Sequence, residues 1–426
     1  MRRSTGALIV ILAAAIPRLF VLAWERETIL EEFVDKSDRF ATTLVDHGTF
    51  GFLPDVPSAY IQPLYAWFLA GLYFPFGRSW LAVGLVQTLV AVGTALVVYE
   101  IGRRLASPGV GLVAALLTTL HPYVVWHDVH ANREGLDGLL LALLVLLALV
   151  AYELESPGWA AVTGAVAGLA ILGNARLAAL PLVLALFLAW KIRPGGRALL
   201  AVVVLLAGAA LVVAPWVVRN EARVGCYTLT TDTRTLWKAN NLNTRDVLDR
   251  GGWIDEVPEF PGAPPWPELA ADMTLAGQPT RVDECAQMRL YRDRVFDFWG
   301  DHPEEKTRLA VQATRMLWNP FPVETDSSDT GTVGAIRDYV EPAFVILLYA
   351  AAIGGLLVVP SRLTALALLL VAYNTAAAIV FAGATRYRVP WDFLLALLAA
   401  FALARIWERY GRRRWRRRRR PAGAPV

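Results

Sequence analysis

Apolar residues in this chain come in long unbroken blocks, not in alternating or amphipathic stripes. From Leu81 to Tyr99, and again from Leu139 to Tyr152, no charge interrupts the run. At ~1.5 Å per residue, about twenty such residues cross a ~30 Å hydrocarbon core, and a helix satisfies its own backbone there. The pattern predicts spans near 6–24, 80–101, 109–126, 134–152, 158–173, 176–191, 198–217, 341–359, 362–381 and 389–407. The expected fold class is an all-α polytopic membrane protein with about ten transmembrane helices. Two polar stretches break the pattern, at 25–79 and 219–339.

Charge then orients the spans. With the N-terminus inside and strict alternation, Arg103 and Arg104, Lys191, Arg193 and Arg197, Arg362 and the run Arg412–Arg414 and Arg416–Arg420 all fall on the inner side. That is the bias of cytoplasmic loops. Both termini are therefore expected in the cytoplasm of a cell whose plasma (inner) membrane holds the chain. The stretch after Met1-Arg2-Arg3 is long for a cleaved signal and ends without a small-residue site, so it reads as a retained first span. The net charge of +4 says less than its distribution. A basic tail directly after a span points to an anionic lipid leaflet or a stop signal, not to nucleic acid. The organisation expected is a membrane domain at 1–218 with an outer loop at 25–79, an extracytoplasmic segment at 219–339, further spans at 340–408 and a cytoplasmic tail at 409–426.

Within the first outer loop, residues 63–76 are apolar, short and rich in Trp, Tyr and Phe, which suits a helix lying in the interface or re-entering the membrane. The second outer segment starts irregular around Pro258, Pro261, Pro264, Pro265 and Pro267. It then resumes a helical period from Glu284 to Trp318, as in a small helical domain. It holds both cysteines, Cys226 and Cys285. The outer side permits a disulfide, and two buried free thiols are the alternative.

Candidate chemistry gathers at the outer boundary. Asp35 and Asp38 follow the first span. Either is a solvated acid or a general base for an acceptor hydroxyl. Asp128 and Glu134 stand near the start of a span, where an ionisable group is costly. His127 and His130, with His121 and Asp128, are candidate ligands for a divalent metal, although the spacing is weakly specific. Arg176, Arg219, Arg386 and Arg388 run against the inner-side bias. They either snorkel to headgroups or hold an anionic lipid phosphate.

The order of these motifs resembles the membrane glycosyltransferases of family 39 type, which include protein O-mannosyltransferases and the bacterial aminoarabinose transferase of lipid A. Ser37-Asp38 followed by SAYIQPLYAWFLAGLYFPFG is similar to the family's first outer loop, with Ala66 in place of a second proline. HPYVVWHDVHANREGL resembles the second loop, with Glu134 as the acid that opens the next span. GLAILGNARLAALPL, APWVVRNEARVGCYTLTTDTRTLWKANN, HPEEKTRLAVQATRMLWNP and TRYRVP continue the order. Ala175 and Leu177 depart from the pattern, and the family's Asn-rich strand is expected around Asn240.

The resemblance implies a GT-C fold and a polyprenyl-phosphate sugar donor, with no required cofactor beyond a candidate divalent metal. It further implies transfer of the sugar to a protein, lipid or glycan acceptor on the outer face, with inversion at the anomeric centre. On that basis Asp38 is the expected base and Glu134 positions the acceptor or a metal. Arg219, Arg386, Arg388 and Arg176 are expected to hold the donor phosphate, with Asp35, Asp128 and Tyr65 on the acceptor side. A lipid-linked glycan transporter or flippase, and a glycan ligase using a diphosphate donor, are the alternatives. The span middles, nearly free of charge, weigh against passage across the membrane.

Overall fold

The computed structural model describes residues 3–32, 34–192, 195–321 and 332–418. The first span is α1 (Arg3–Glu25). Two helices follow in the stretch expected to be the first outer loop, α2 (Ser37–His47) and α3 (Pro63–Phe76). The N-terminal membrane part continues through α4 (Trp80–Leu105), α5 (Pro108–Thr119), α6 (Pro122–His127), α7 (Glu134–Glu153), α8 (Pro157–Gly173), α9 (Leu180–Lys191) and α10 (Gly195–Val224). The stretch at 219–339, the outer segment of the expected organisation, adds α11 (Arg234–Lys238), α12 (Thr244–Asp249), α13 (Pro267–Leu275), α14 (Glu284–Asp301) and α15 (Pro303–Trp318). After α16 (Thr332–Ala335), the chain returns through α17 (Glu341–Leu356), α18 (Ser361–Val380), α19 (Thr385–Arg388) and α20 (Asp392–Arg418).

This is a multi-pass, all-α membrane protein. Among the described residues there is no strand, only an isolated bridge between Leu53 and Val56. Asn240 and Asn241 lie in the turn after α11, because their side chains bond back to Leu236, Trp237 and Lys238 carbonyls and close the helix end. The Asn-rich strand expected there is therefore a helical turn.

Seven helical stretches among the described residues are long and apolar enough to cross a bilayer alone, from Ser4–Leu30 to Thr385–Arg409. The remaining three expected spans are shorter. The one at 109–126 splits into α5 and α6 at His121, which is extended (φ −61°, ψ 124°) before Pro122. A residue preceding proline is pushed out of the helical region. At 17 residues, α8 still reaches ~25 Å at 1.5 Å per residue. With 12 residues, α9 starts late because Asn174 leaves the helix and caps Arg176.

Large apolar side chains such as Phe20, Leu211 and Leu347 face outward, as a lipid surround requires. The interior is packed by small residues. A Cβ on Gly164 would fall 1.9 Å from the Leu205 carbonyl oxygen, so only glycine lets α8 and α10 meet this closely.

Ion pairs sort the two ends of the helices. Arg362 meets Glu153 at 3.0 Å, Arg197 meets Glu155 at 3.3 Å, and Arg103 and Arg104 share Glu100. These gather the C-terminus of α7 with the N-termini of α10 and α18 at one end of the bundle. Arg193 and the side chains of Arg412–Arg414 and Arg416–Arg420 lie outside the described residues.

The outer segment is pinned at its start. Cys226 and Cys285, 59 residues apart, are bridged, which joins the end of α10 to the start of α14. Loop 1 supplies the other fastening: Lys36 pairs with Glu268 at 2.8 Å and Arg39 with Asp272 at 2.7 Å. Closing a loop of 59 residues restricts the unfolded chain by about 4 kcal/mol in the chain-entropy model. Reduction with dithiothreitol should therefore lower the thermal midpoint of the outer segment, read by tryptophan fluorescence. An unchanged midpoint would contradict the fastening role.

Candidate active site

Loops 1 and 2 are sewn together by backbone. Asp35 N donates to Ala131 O at 2.9 Å, and Ala131 N donates to Ile29 O at 3.3 Å. Gln87 of α4 holds loop 2 from below, donating to the carbonyls of Asp128 and His130. Tyr65 OH in turn donates to Gln87 Oε1 at 2.6 Å. Tyr65 is almost fully buried, so it fixes this scaffold from inside the protein and does not stand open to an acceptor.

On that scaffold α7 begins with Arg133 and Glu134. Across from them, the turn before α20 supplies Arg386, whose Nε and Nη2 reach Glu134 Oε1 at 2.8 and 2.5 Å. Arg176, just after α8, stacks on the Tyr387 ring at 3.9 Å and donates to Ala382 O. Arg133, Arg176 and Arg386 line one cavity with Glu134, Asp137, Asn174, Tyr373 and Tyr387. Asn174 Nδ2 donates to Asp137 Oδ2 at 2.9 Å, and Arg133 Nη1 donates to Gln62 Oε1 at 3.1 Å. Three guanidiniums face two carboxylates there, so the cavity carries net positive charge and suits an oxyanion.

Asp35 sits at the edge of this field. Its Oδ1 accepts from Ser37 N at 2.9 Å and Ser37 Oγ at 2.6 Å. Burial acts to raise its pKa. The Arg133 charge, the two Ser37 donors and Arg386 outweigh burial and hold the carboxyl below its ordinary 3.8.

Other expected site residues lie elsewhere. Asp38 accepts from Tyr73 OH at 2.6 Å and from Arg78 Nε and Nη2 at 3.0 Å each. It opens α2, and its carboxylate fastens α2 to the end of α3. Arg219 donates to the carbonyls of Ser58 and Phe50 and lies over the Trp216 ring, which ties α10 to loop 1 away from the three arginines. Arg388 is fully buried, pairs with Asp392 at 3.1 Å and donates to Asn319 O. Asp128 is taken by Arg18 of the first span, whose Nε and Nη2 lie 2.8 and 2.7 Å from Oδ2. Gly135 lets that carboxylate approach, since a Cβ there would stand 3.1 Å from Asp128 Oδ1. His127 stacks on Tyr123, and His130 Nδ1 meets Trp126 O at 3.0 Å. Among the described residues, no three His, Cys, Asp or Glu side chains are arranged to hold a metal ion.

Two functional residues escape the sequence reading. Arg133 carried the same signal as the other outer arginines and stands directly before Glu134. Arg18 was legible as the one cation well inside an apolar span, a position that demands an acid partner.

A family model described as dolichyl-phosphate-mannose-protein mannosyltransferase matches residues 55–218. The fold is shared with the oligosaccharyltransferase AglB of Archaeoglobus fulgidus. The structure in complex with an inhibitory peptide and a dolichol-phosphate gives a TM-score of 0.54 at 12% identity, and the apo form gives 0.56 at 12%. Each match covers 99% of this chain and 52% of the archaeal one, so the chain spans about half the length of that enzyme. ArnT from Cupriavidus metallidurans, bound to undecaprenyl phosphate, aligns over 95% of this chain and 77% of its own at 15% identity, with a TM-score of 0.40. No curated protein matches by sequence. The all-α GT-C architecture expected from the motifs is borne out by the fold shared with AglB, and the family model matches part of the chain, residues 55–218.

The Arg18–Asp128 pair offers a stability test. Arg18→Leu leaves a buried carboxylate alone and should cost about 3–5 kcal/mol, whereas Arg18→Leu with Asp128→Leu should recover most of it. Thermal unfolding of the three proteins in one detergent decides. A double variant as unstable as the single one would show that the pair is not the reason both residues are there.

Proposed function

We propose that the chain is a glycosyltransferase that moves a sugar from a polyprenyl-monophosphate donor to an acceptor hydroxyl on the outer face of the membrane. The observation that carries this reading is the single cavity in which Arg133, Arg176 and Arg386 meet Glu134 and Asp137. The family-model match, the shared fold and the dolichol-phosphate named with the AglB structure point the same way.

In this reading the donor phosphate docks on the guanidiniums, which supply fixed positive charge where the leaving group gathers negative charge. The acceptor oxygen bonds to the anomeric carbon as the bond from that carbon to the phosphate oxygen breaks. The electron pair leaves with the polyprenyl phosphate, and one displacement inverts the centre. The base is moved from Asp38, whose carboxylate Arg78 and Tyr73 occupy, to Asp35. Held ionised by Arg133 and Arg386, Asp35 is a weak base until the donor arrives. A phosphate anion then cancels that positive field, and the carboxylate becomes more basic when a proton must be taken. Glu134, paired with Arg386, sets the position of that guanidinium.

Asp35→Asn should reduce transfer by about 100-fold or more while lipid-phosphate binding persists. Asp38→Asn should act through stability. Because the Asp35 pKa is depressed, the acid limb of kcat/KM should lie below pH 3.8 and that of kcat should move upward. Transfer assays in liposomes from pH 3 to 8 test this. Full activity of Asp35→Asn would remove the base assignment.

A further inference from the structure

On the far side of the Glu134–Arg386 pair lies a second cavity. Glu134 and Pro390 line both cavities, so the pair stands in the wall between them. Most of this second lining is apolar and comes from the bundle itself, with Ala95 of α4, Leu117 of α5, Leu348 of α17 and Phe393 of α20. Its polar end is the break between α5 and α6. There His121 and Asp392 are buried to 1% and 4% exposure. His121 Nε2 stands 3.4 Å from Asp392 Oδ2. Neither His121 nitrogen, nor Asp392 Oδ1, has a hydrogen-bond partner among the described residues.

Such atoms are costly to bury bare, so their presence at a cavity wall selects an occupant. Each carboxylate on the wall is already neutralised, Asp392 by Arg388, Asp128 by Arg18 and Glu134 by Arg386, so neither an anion nor a cation finds an uncompensated opposite charge there. A neutral group that both donates and accepts fits His121 and Asp392 together, and a hydroxyl is such a group. The rest of the lining asks for an apolar body on that hydroxyl.

We propose that this cavity is the acceptor site and that the acceptor is an alcohol borne on an apolar, membrane-resident body. This rests on the glycosyl-transfer reading above and deepens it. His121 and Asp392 hold the arriving alcohol at the polar end of the cavity. From there its hydroxyl oxygen reaches the sugar past Glu134, forming the new bond to the anomeric carbon as the bond to the phosphate oxygen breaks. The hydroxyl proton passes to Asp35, and polyprenyl phosphate departs with the electron pair.

The test uses the full chain in phosphatidylcholine nanodiscs and a diazirine-bearing hexadecanol, with cross-linked peptides read by mass spectrometry. Labelling is expected on peptides that contain residues 117–124 and 389–393. Hexadecanol should compete about tenfold better than hexadecane, and His121→Leu should erode that preference about fivefold, the worth of one hydrogen bond. Thr94→Trp, which fills the cavity from α4, should abolish labelling. Polyprenyl monophosphate binding, measured in the same nanodiscs, should survive both changes. Equal competition by hexadecane and hexadecanol in the unaltered protein would overturn the proposal without recourse to any variant, as would labelling that Thr94→Trp leaves intact. A preference for the alcohol in a protein that does not bind polyprenyl monophosphate would keep the alcohol site and remove the donor reading instead.

Discussion

The ion pair between Arg386 and Glu134 joins parts of the chain 252 residues apart. One partner opens α7, and the other lies in the turn before α20. Its position in the wall between two cavities means that both take their shape from it. Only Nε and Nη2 of Arg386 reach Glu134, so the guanidinium keeps donors for a third group. With Arg176 locked on Tyr387 and Arg133 tied to Gln62, the neighbouring charges are also held before any ligand arrives. Such preorganisation suits charge development better than flexible surface arginines do.

The remaining architecture serves that wall. Loop 1 is stitched to loop 2 by backbone, to α10 by Arg219, and to the outer segment by Lys36 and Arg39. Beneath it, Arg18 and Asp128 place a compensated charge inside the bundle, which fixes α1 against the α6–α7 turn. Opposite charges that are costly alone thus set the register of helices that apolar contacts would leave free to slide.

Much of the fold was legible because length and apolarity decide what crosses a bilayer. The exceptions have local causes: His121–Pro122 divides one expected span, and Asn174 shortens another. The outer-boundary arginines were legible as a group, but their directions were not. Arg386 and Arg388 are two residues apart in a helical turn, hence roughly 200° apart around it, so one faces Glu134 and the other Asp392. The same geometry separates the acids of loop 1. Asp38 lies inside α2 and turns to Tyr73 and Arg78, whereas Asp35 precedes the helix and keeps to the arginine side. Spacing names the candidates, and the local conformation chooses among them.

In the proposed reaction the three arginines hold a lipid monophosphate that leaves during sugar transfer. Its most direct test is the lipid product from purified protein given a polyprenyl-phosphate sugar in liposomes. Polyprenyl monophosphate should be released stoichiometrically with the glycosylated acceptor, and both should be lost when Arg133 and Arg386 are replaced together by Ala. Failure to turn over this donor while a diphosphate-linked sugar is consumed, with diphosphate lipid released, would contradict the proposed reaction.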